Sequence, residues 1–572
     1  MITLHGPQRF ADKIPHTGPR VVIIGGVAGG ATAAARARRI SETADITVIE
    51  RGPYISYANC GLPYFISRDI ERRESLLLET PEGLHARYDV TARVNTEAIE
   101  IDRAGKRVKV RDANGEEWLP YDRLILAQGG NPIAPPLPGA DAAHVFTLWN
   151  VPDMDRLHRH IDVTAPRTAV IVGGGFIGLE MAEAFAKRDI ATTVVELMPT
   201  VMSLMDLEFG RLIATEMARH GVKVETGVGV SLIDPKAQTV HLTDGREVPA
   251  ELVLMSVGVR PELTLARGAG LTIGTSGGLL VNDHLQTSDE SIYAAGDMVE
   301  VEQRVTGRRV RMPLAGPANR QGRTAASNAL GVPLTYLGAL GTSAVKVFDA
   351  TAAMTGLSEK VARDAGFDVG VAVLHTGNHA GYYPGVQPLT LKLVYDRADG
   401  RVLGAQAFGF DGVEKRIDVI AMALHGRMTV HDLAQIDLSY APPFSSANDP
   451  VNVVGFVAEN DLSGFSPLIT AAQLEEELAS AHPPLVLDVR TQAEYDAGHR
   501  PETRLVPVND LRDSLDTLPR HRRIAVHCKS GFRGHLAVRM LRQHVFDDVA
   551  NVTGGFISMQ LAEQPPSIRV SP

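Results

Sequence analysis

The sequence is poor in cysteine and contains no long apolar run. Cys60 and Cys528 are its only two cysteines among 572 residues, so a framework of structural disulfides is not expected, and the count fits a reducing compartment. No segment is apolar enough over a sufficient length to span a bilayer, and the first residues lack the apolar core of a signal peptide. We therefore predict a cytoplasmic protein without a membrane partner, with a flexible leader over residues 1–19.

Basic runs are also missing. The net charge is −10 and the pI is near 6.0, so the electrostatic footprint of a nucleic-acid-binding protein is absent and no nucleic-acid partner is expected. With 44% hydrophobic and 22% charged residues, the composition is ordinary for a globular enzyme. A chain of 572 residues exceeds what one hydrophobic core can organise, which predicts several domains.

Two segments repeat one pattern of apolar strand, glycine turn, alanine-rich helix, second strand and acidic residue. They cover residues 21–50 and 169–196. This is the order of a βαβ unit that binds a dinucleotide at its glycine turn. A proline-rich hinge over 131–140 lies between the two units and marks a crossing between domains. The sequence therefore predicts two Rossmann-like domains in an α/β protein.

The second glycine motif is complete, because Gly173, Gly175 and Gly178 satisfy G-x-G-x-x-G. The first two glycines let the backbone approach a pyrophosphate, and the third lets helix and strand pack closely. Glu196 ends the next strand, where an acid binds the adenosine ribose and disfavours a 2′-phosphate. We expect NADH at this site in preference to NADPH. Further nucleotide contacts are expected from Ile177, Glu180 and Gly258.

The first unit is less regular. Gly25 and Gly30 hold the outer places of its motif, Val27 replaces the middle glycine, and Glu50 stands at the acidic position. One such motif is weak evidence, but its repetition within the chain strengthens the case. The unit resembles the N-terminal FAD-binding unit of flavoproteins that have two dinucleotide-binding domains. On this resemblance, further FAD contacts fall at Gly26, Ala28, Gly29, Arg51, Gly129 and Asp297.

Two later stretches carry the same resemblance. TSDESIYAAGDM at 287–298 matches the second FAD motif of these flavoproteins and puts Asp297 near the ribityl or pyrophosphate region. LILAQGG at 124–130 stands where the family has a strand and a glycine turn, with Gln128 replacing the usual small residue or threonine. The resemblance implies an FAD-binding domain over 20–148 and 278–340, and an NAD(P)H-binding domain over 149–277.

SYANCGLPY at 56–64 directly follows the first unit, where these flavoproteins place a redox cysteine over the flavin. Relatives resembling glutathione reductase use a C-x4-C pair, but the residues five positions either side of Cys60 are Ile55 and Phe65, which excludes an intramolecular disulfide. The segment is similar to coenzyme A disulfide reductases and NADH-dependent persulfide reductases. That resemblance implies that Cys60 is a single redox nucleophile cycling through a mixed disulfide or a sulfenic acid.

Residues 341–458 mix short β runs with a helix-like stretch over 413–426, which predicts an α+β domain. In the family this domain forms a homodimer and brings tyrosines to the redox cysteine of the other subunit. HAGYYPG at 379–385 and LSYAPPFSSANDPVN at 438–452 resemble the segments that do so. The resemblance makes Tyr440 the candidate to hydrogen-bond a departing thiolate, with Tyr382 or Tyr383 beside it.

The resemblance also implies a coenzyme A site, with CoA as substrate or bound carrier. Arg36 and Arg39 lie three residues apart on one helical face and carry charge suited to CoA phosphates, although a solvated basic face is the alternative. Many relatives have Lys before the Asp-Pro that follows the tyrosine segment, whereas this chain has Asn448. The remaining matching positions are Thr32, Ser56, Asn59 and Asn319.

HCKSGFRG at 527–534 is a C-x4-R loop that enters a helix. Successive backbone N–H groups in such a loop point at an anion, which suits a thiolate or persulfide on Cys528, and Arg533 adds positive charge. The loop resembles the rhodanese active site, whereas phosphatase-like loops require C-x5-R. A rhodanese domain of α/β type is therefore predicted over 466–568.

Other parts of this last domain match the rhodanese pattern less evenly. DVR at 488–490, Glu494 and the Gly-His pair at 498–499 follow at rhodanese spacing. Asp488 and Arg490 are expected to form a structural ion pair rather than to act in catalysis. GHRPETRLVPV departs from the usual sequence, so an atypical substrate-side loop is expected.

These resemblances together imply a flavoprotein that uses FAD and NADH to reduce CoA disulfide, CoA persulfide or polysulfide at Cys60, with sulfane sulfur carried on Cys528. An NADH peroxidase or oxidase that cycles through a sulfenic acid is the alternative, but such enzymes carry a His in the first glycine-rich helix start, and residues 21–40 contain none. A redox sensor without turnover needs neither a nicotinamide site nor a rhodanese module. The sequence leaves open the preferred small thiol or persulfide and the direction of sulfur flow, and it predicts no metal site.

Overall fold

The computed structural model describes residues 16–563. Residues 1–15, most of the predicted leader, and residues 564–572, which include the end of the predicted last domain, lie outside the described residues. The described chain contains four five-stranded sheets, one in each of four domains. Among residues 16–563, no helix combines the length and the apolar character needed to cross a membrane.

The first domain is built from two separate segments of the chain around a parallel sheet. Its central strand, Arg20–Ile24, is buried from Val21 onward, as expected for a strand that is covered on both faces. Across the sheet the strands are Ile292–Ala294, Arg123–Leu126, Arg20–Ile24, Asp45–Ile49 and Thr91–Arg93. The smaller sheets are Glu97–Asp102, Arg107–Asp112 and Gly115–Pro120, and Leu279–Leu280, Val299–Glu302 and Arg309–Arg311. The helices are Ala28–Ile40, Leu62–Ile66, Pro81–Tyr88 and Ala315–Ala329, with 3-10 turns at Asn59–Gly61 and Arg73–Leu76.

The second domain repeats this plan within one segment. Its parallel strands, in order across the sheet, are Lys223–Thr226, Ala191–Glu196, Thr168–Val172, Leu252–Met255 and Val145–Phe146. An antiparallel sheet consists of Val230–Asp234, Thr239–Leu242 and Glu247–Pro249. The helices are Val151–Thr164, Phe176–Ala186 and Leu207–Arg219, whereas helix Thr264–Gly268 packs against strand Glu97–Asp102 of the first domain. Strand Gly130–Pro132 pairs with Val259–Pro261, so the two crossings between the first and second domains run side by side.

The third domain is an antiparallel sheet covered by helices. Its strands, in order, are Ser343–Val347, Ala350–Gly356, Val402–Gly409, Pro388–Asp396 and Val369–Gly377. Its helices are Glu359–Asp364, Val413–His425, Val430–Gln435 and Pro450–Leu462. Lys392 of this domain is buried and pairs with Asp206, Glu208 and Glu359 at 2.9, 2.6 and 2.8 Å. Since Asp206 and Glu208 begin a helix of the second domain, this cluster joins the two domains.

The fourth domain has a parallel sheet and lies against the third. Its strands, in order, are Leu468–Ile469, Val549–Val552, Ile524–His527, Leu485–Asp488 and Thr503–Leu505. Its helices are Ala471–Leu478, Gln492–Asp496, Leu511–Ser514, Phe532–Gln543 and Gly555–Glu563, with a 3-10 turn at Leu515–Thr517. The predicted fold class, two Rossmann-like domains followed by an α+β and a small α/β domain, is confirmed.

Specific hydrogen bonds hold the fourth domain in place. The Val373 N–H donates to the Thr553 hydroxyl at 2.8 Å, and the His375 ring bonds to the Ser558 hydroxyl at 3.0 Å. Near the C-terminal end of helix Gly555–Glu563, Arg211 of the second domain donates to the Ala562 carbonyl at 2.7 Å. The fourth domain therefore contacts both the third and the second domains.

Candidate active sites

The two glycine turns have the same geometry. Gly25 and Gly173 adopt positive φ values of +97° and +104°, which favour glycine. A Cβ on Gly30 would lie 1.7 Å from the Gly25 carbonyl oxygen, and one on Gly178 would lie 2.1 Å from that of Gly173. Each pair of glycines is therefore required for the strand to turn directly into its helix, and the substitution of Val27 for a middle glycine leaves this geometry intact.

The acid of each unit holds its glycine turn from the side. Glu50 accepts a hydrogen bond from the Gly26 N–H at 2.9 Å, and Glu196 accepts one from the Gly174 N–H at 2.7 Å. Each carboxylate also accepts a hydrogen bond, at 2.8 Å, from the backbone N–H of the residue two positions after the acid. A carboxylate has about four acceptor positions, so each acid keeps capacity for ribose hydroxyls. The two units are thus equivalent cradles for an ADP moiety.

Polar groups around the first cradle fit a polar cofactor such as FAD. Gly129 has a φ of +66° and faces open space, and the Gln128 side-chain oxygen is buried without a hydrogen-bond partner. Burial raises the pKa of Asp297 to about 6, which marks a carboxyl that a ligand hydroxyl could satisfy. Ala28 and Gly29 form the first turn of the helix after the glycine turn. An open cavity nearby is lined by Arg51, Asn95, Glu97, Arg111 and Asp112.

The second cradle opens toward the segment that contains Cys60. Gly175 precedes helix Phe176–Ala186 and has open space where a side chain would be, as a close pyrophosphate requires. Ile177 and Glu180 lie on that helix, and Gly258, with a φ of +108°, follows strand Leu252–Met255. The Tyr64 hydroxyl donates to Glu180 at 3.4 Å. Burial raises the pKa of Glu180 to about 7.

Cys60 lies in the 3-10 turn Asn59–Gly61, which runs into helix Leu62–Ile66. The residue is exposed, but its thiol sits in a partly enclosed recess. This burial raises the pKa of the Cys60 thiol, and the negative charges of Glu180 and Asp297 raise it further. The side chains of the chain itself therefore favour the protonated thiol, and stabilisation of a thiolate has to come from a bound group.

Two packed helices, Ala28–Ile40 and Ala315–Ala329, bring together residues predicted to bind CoA. The Thr32 hydroxyl donates to the Asn319 side chain at 2.6 Å. Burial, followed by the positive charges of Arg323 and Arg39, lowers the pKa of Arg36. This cluster of arginines is suited to phosphate groups, and Arg323 is a member that the sequence motifs did not reveal.

The other positions predicted to bind CoA are more scattered. Ser56 has a φ of +48° and donates its N–H to the Gly26 carbonyl at 2.8 Å, so it connects the first glycine turn to the Cys60 segment. Asn59 begins the turn that carries Cys60. Asn448 is exposed in the third domain, next to the Asp449 that caps helix Pro450–Leu462.

The predicted tyrosines form an exposed group on the third domain. The hydroxyls of Tyr382 and Tyr440 are hydrogen-bonded at 2.8 Å, whereas the Tyr383 ring packs edge-on against His379. Tyr382, Tyr383 and Tyr440 are 76%, 41% and 46% exposed. No hydrogen bond joins any of them to Cys60 within residues 16–563, so the paired hydroxyls face outward from this single chain.

Cys528 is buried at the end of strand Ile524–His527, and the Gly531 N–H donates to its sulfur at 3.1 Å. Arg533 lies at the start of the following helix, where Glu494 and, to a lesser extent, Cys528 raise the pKa of its guanidinium. Its guanidinium forms a two-fold contact with Glu494, with both N···O distances 2.7 Å. The predicted loop thus presents a donor to Cys528, but its arginine is engaged by a carboxylate that sequence reasoning had not linked to it.

Behind the loop, Asp488 and Arg490 form the predicted ion pair and are buried. Arg490 also donates to the carbonyls of Gly498 and Glu494 at 2.9 and 3.2 Å, so it ties the substrate-side loop to the strand. In that atypical loop, Arg500 pairs with Glu475, Glu502 and Glu563. Two residues that depart from the rhodanese pattern, Arg500 and Glu502, therefore pair with each other.

Three family models match successive parts of the chain. A pyridine nucleotide-disulphide oxidoreductase model covers residues 19–322, the dimerisation domain of the same family covers 342–450, and a rhodanese-like domain covers 470–561. The order agrees with the four domains described above.

Relatives and solved structures extend this match. A Pyrococcus abyssi NAD(P)H sulfur oxidoreductase (CoA-dependent) is 37% identical over 439 residues, covering 76% of this chain and 97% of the relative. An NADH oxidase of Methanocaldococcus jannaschii is 31% identical, covering 78% and 99%. Reduced Bacillus anthracis CoADR-RHD has a TM-score of 0.93 at 40% identity, covering 96% and 99%. An NAD-dependent persulfide reductase from A. fulgidus has a TM-score of 0.87 at 36% identity, covering 94% and 99%.

Proposed function

Since the chain belongs to the pyridine nucleotide-disulphide oxidoreductase family, we propose that it reduces coenzyme A disulfide, coenzyme A persulfide or polysulfide at Cys60 and transfers sulfane sulfur at Cys528. The observation that carries the proposal is a lone accessible cysteine next to two dinucleotide cradles, in a chain whose second cysteine sits in a rhodanese-like loop. The names of a CoA-dependent relative and of a persulfide reductase with the same domain order support it.

The first cradle, around Gly25, Gly30 and Glu50, would hold FAD, and the second, around Gly173 and Glu196, would hold NADH. Together the bound cofactors would supply the electron pair for the reaction. NADH is proposed over NADPH because the Glu196 carboxylate, which accepts from the Gly174 N–H at the end of its strand, would repel a 2′-phosphate.

Cys60 acts as the nucleophile in this proposal. Its thiolate attacks one sulfur of a disulfide R–S–S–R, forms Cys60–S–S–R and expels R–S⁻. Two electrons and a proton then cleave the mixed disulfide, releasing the second thiol and restoring Cys60. With a persulfide or polysulfide, the same attack passes sulfur to Cys60, and reduction releases it as sulfide.

We assign proton transfer to the departing thiolate to the hydrogen-bonded Tyr382–Tyr440 pair, with Tyr440 nearest the sulfur. The pair faces outward from its own chain, which supports a homodimer in which each pair serves the Cys60 of the other subunit. Thr32, Arg36, Arg39 and Asn319 are proposed to hold the CoA moiety. The free thiols suit a reducing compartment such as the cytoplasm.

Cysteine substitutions test the proposal directly. We expect Cys60→Ser to abolish anaerobic NADH oxidation with both CoA disulfide and CoA persulfide. Cys528→Ser should keep CoA disulfide reduction and lose only the delivery of sulfane sulfur. Persistent turnover in Cys60→Ser would refute the assignment. Faster turnover of the wild type with peroxide or oxygen than with any sulfur acceptor would favour the oxidase activity named for the M. jannaschii relative.

A further inference from the structure

The second cysteine site has an unusual balance of charge around its sulfur. In a loop that binds anions, a free guanidinium beside the cysteine would attract a negatively charged sulfur donor. Here the Arg533 guanidinium approaches the Cys528 sulfur but forms its two-fold contact with Glu494. The positive charge at the loop is therefore paired before any donor arrives.

Glu494 is itself fixed in place. It is the third residue of helix Gln492–Asp496, and its carboxylate accepts from the Thr491 N–H and hydroxyl, both at 3.0 Å, in a capping box. Arg533 holds the pKa of Glu494 down at about 2, so the carboxylate is charged at neutral pH. The side chains of Arg533 and Glu494 are 28% and 30% exposed, so an incoming donor can meet the pair itself.

The second arginine of the site is neutralised in the same way. Arg490 is buried in its ion pair with Asp488 and donates further hydrogen bonds to backbone carbonyls. His527, immediately before Cys528, is buried, and this burial lowers its pKa to about 4, so it carries no charge at neutral pH. Lys529, next in the loop, is exposed to solvent. Two ion pairs, Arg533–Glu494 beside the loop and Arg490–Asp488 behind it, thus leave the exposed Lys529 as the further cation of the loop.

We propose that Glu494 is a specificity-determining residue of the Cys528 site, selecting persulfide sulfur carried on a thiol over small dianionic donors of the thiosulfate type. The inference rests on the proposed sulfur-transfer function of Cys528. A thiosulfate dianion has to approach the Glu494 carboxylate, and the two N–H donors of Arg533 that could bind it already contact Glu494. An alkyl persulfide reacts in its neutral R–S–SH form, and even its anion carries one negative charge at sulfur rather than two, so the Glu494 carboxylate repels it less.

Sulfur transfer from a persulfide and sulfur transfer from thiosulfate differ in their leaving groups. With a persulfide, the Cys528 thiolate attacks the outer sulfur of R–S–SH, the donor S–S bond breaks, a Cys528 persulfide forms and R–SH departs. With thiosulfate, the same attack expels sulfite, a dianion that needs positive charge as it leaves. Cyanide then takes the outer sulfur of either product as thiocyanate and restores the Cys528 thiolate, so both half-reactions balance without an added oxidant.

The test compares donors in the full-length, FAD-containing protein. Thiocyanate formation is measured with glutathione persulfide and with thiosulfate, and the Cys528→Ser rate is subtracted as the uncatalysed background. We expect the wild type to use glutathione persulfide at least about 100-fold better in kcat/KM. Glu494→Gln, which keeps an oxygen for Thr491 but removes the charge, should raise the thiosulfate-to-persulfide ratio at least tenfold. Glu494→Asp should stay near the wild-type ratio.

Several results would overturn the inference. A wild type that uses both donors equally well contradicts it, and this result needs no variant to fold. An unchanged donor ratio in a Glu494→Gln protein with intact NADH-dependent reductase activity also contradicts it. If Cys528→Ser matches the wild type with both donors, the proposed role of Cys528 fails instead. Adding Arg533→Gln to Glu494→Gln should abolish the gain with thiosulfate, because the freed guanidinium causes it.

Discussion

The ionisation of Glu180 depends on both its burial and a neighbouring charge. Burial raises its pKa from a usual 4.5 to about 7, and the nearby Glu183 adds to the effect. The folded state therefore holds a proton between pH 4.5 and 7 that the unfolded state releases, so stability is greatest below this window and falls as the pH rises through 7.

Glu180→Gln should remove this pH dependence. As the pH rises from 4.5 to 8, the unfolding free energy of the wild type should fall by on the order of 2–3 kcal/mol more than that of the variant. Urea unfolding at a series of pH values measures this difference. Glu290→Gln, at an exposed position, is the matched control and should follow the wild-type profile. Parallel profiles for Glu180→Gln and the wild type would disprove the burial argument.

Single residues were predictable from the sequence where a local motif fixed their surroundings. Gly173, Gly178 and Glu196 belong to one strand–turn–helix unit, so spacing alone located them. The Tyr64–Glu180 contact joins residues 116 positions apart, and no motif links them. Likewise, Glu494 was recognised by its spacing, but its pairing with Arg533 depends on how helix Gln492–Asp496 packs near the Cys528 loop.

At the scale of secondary-structure elements, the proposed preference for NADH rests on one strand–turn–helix unit. Glu196 ends its strand, and the next residue, Leu197, is 70% exposed and offers no charge to a 2′-phosphate. The double change Glu196→Ala, Leu197→Arg should raise the NADPH-to-NADH ratio of kcat/KM by about 10–100-fold, because it replaces a repulsion with an arginine–phosphate contact.

The other βαβ unit provides the control. Glu50 holds the first glycine turn as Glu196 holds the second, so Glu50→Gln should weaken FAD retention and leave the NADPH-to-NADH ratio unchanged. If the double variant keeps the wild-type ratio, the cofactor preference resides elsewhere in the second domain.

The sequence predicted the presence of strands and helices better than the residues at which domains begin and end. Apolar strands bounded by glycine turns predicted both Rossmann-like sheets, because buried parallel strands have near-continuous apolar sequences. Val145–Phe146, however, pairs with Leu252–Met255 of the second sheet, although it precedes the predicted start of that domain at 149. A two-residue edge strand has no periodicity that a sequence pattern could reveal.

At the scale of the whole molecule, the buried Lys392 ammonium joins the second and third domains through ion pairs. Lys392→Met would leave Asp206, Glu208 and Glu359 together without their shared cation. We expect a loss of about 3–5 kcal/mol in unfolding free energy, because removing the lysine leaves buried carboxylates without a counter-ion. Lys360→Met is the control, because Lys360 is 80% exposed in its pair with Asp364, and it should cost less than about 1 kcal/mol. Equal losses in urea unfolding would show that the buried cluster adds nothing.

The contacts that hold the fourth domain against its neighbours limit which other domains could replace it. Thr553 bonds to the Val373 backbone, Ser558 bonds to His375, and the Leu468 N–H donates to Asp461 at 2.8 Å where the chain enters the domain. An unrelated rhodanese domain grafted after Asp461 would lack these hydroxyls and leave the His375 ring facing a foreign surface. A viable graft therefore has to carry the contact residues of both domains with it, because the fourth domain is fitted to the third by specific side chains.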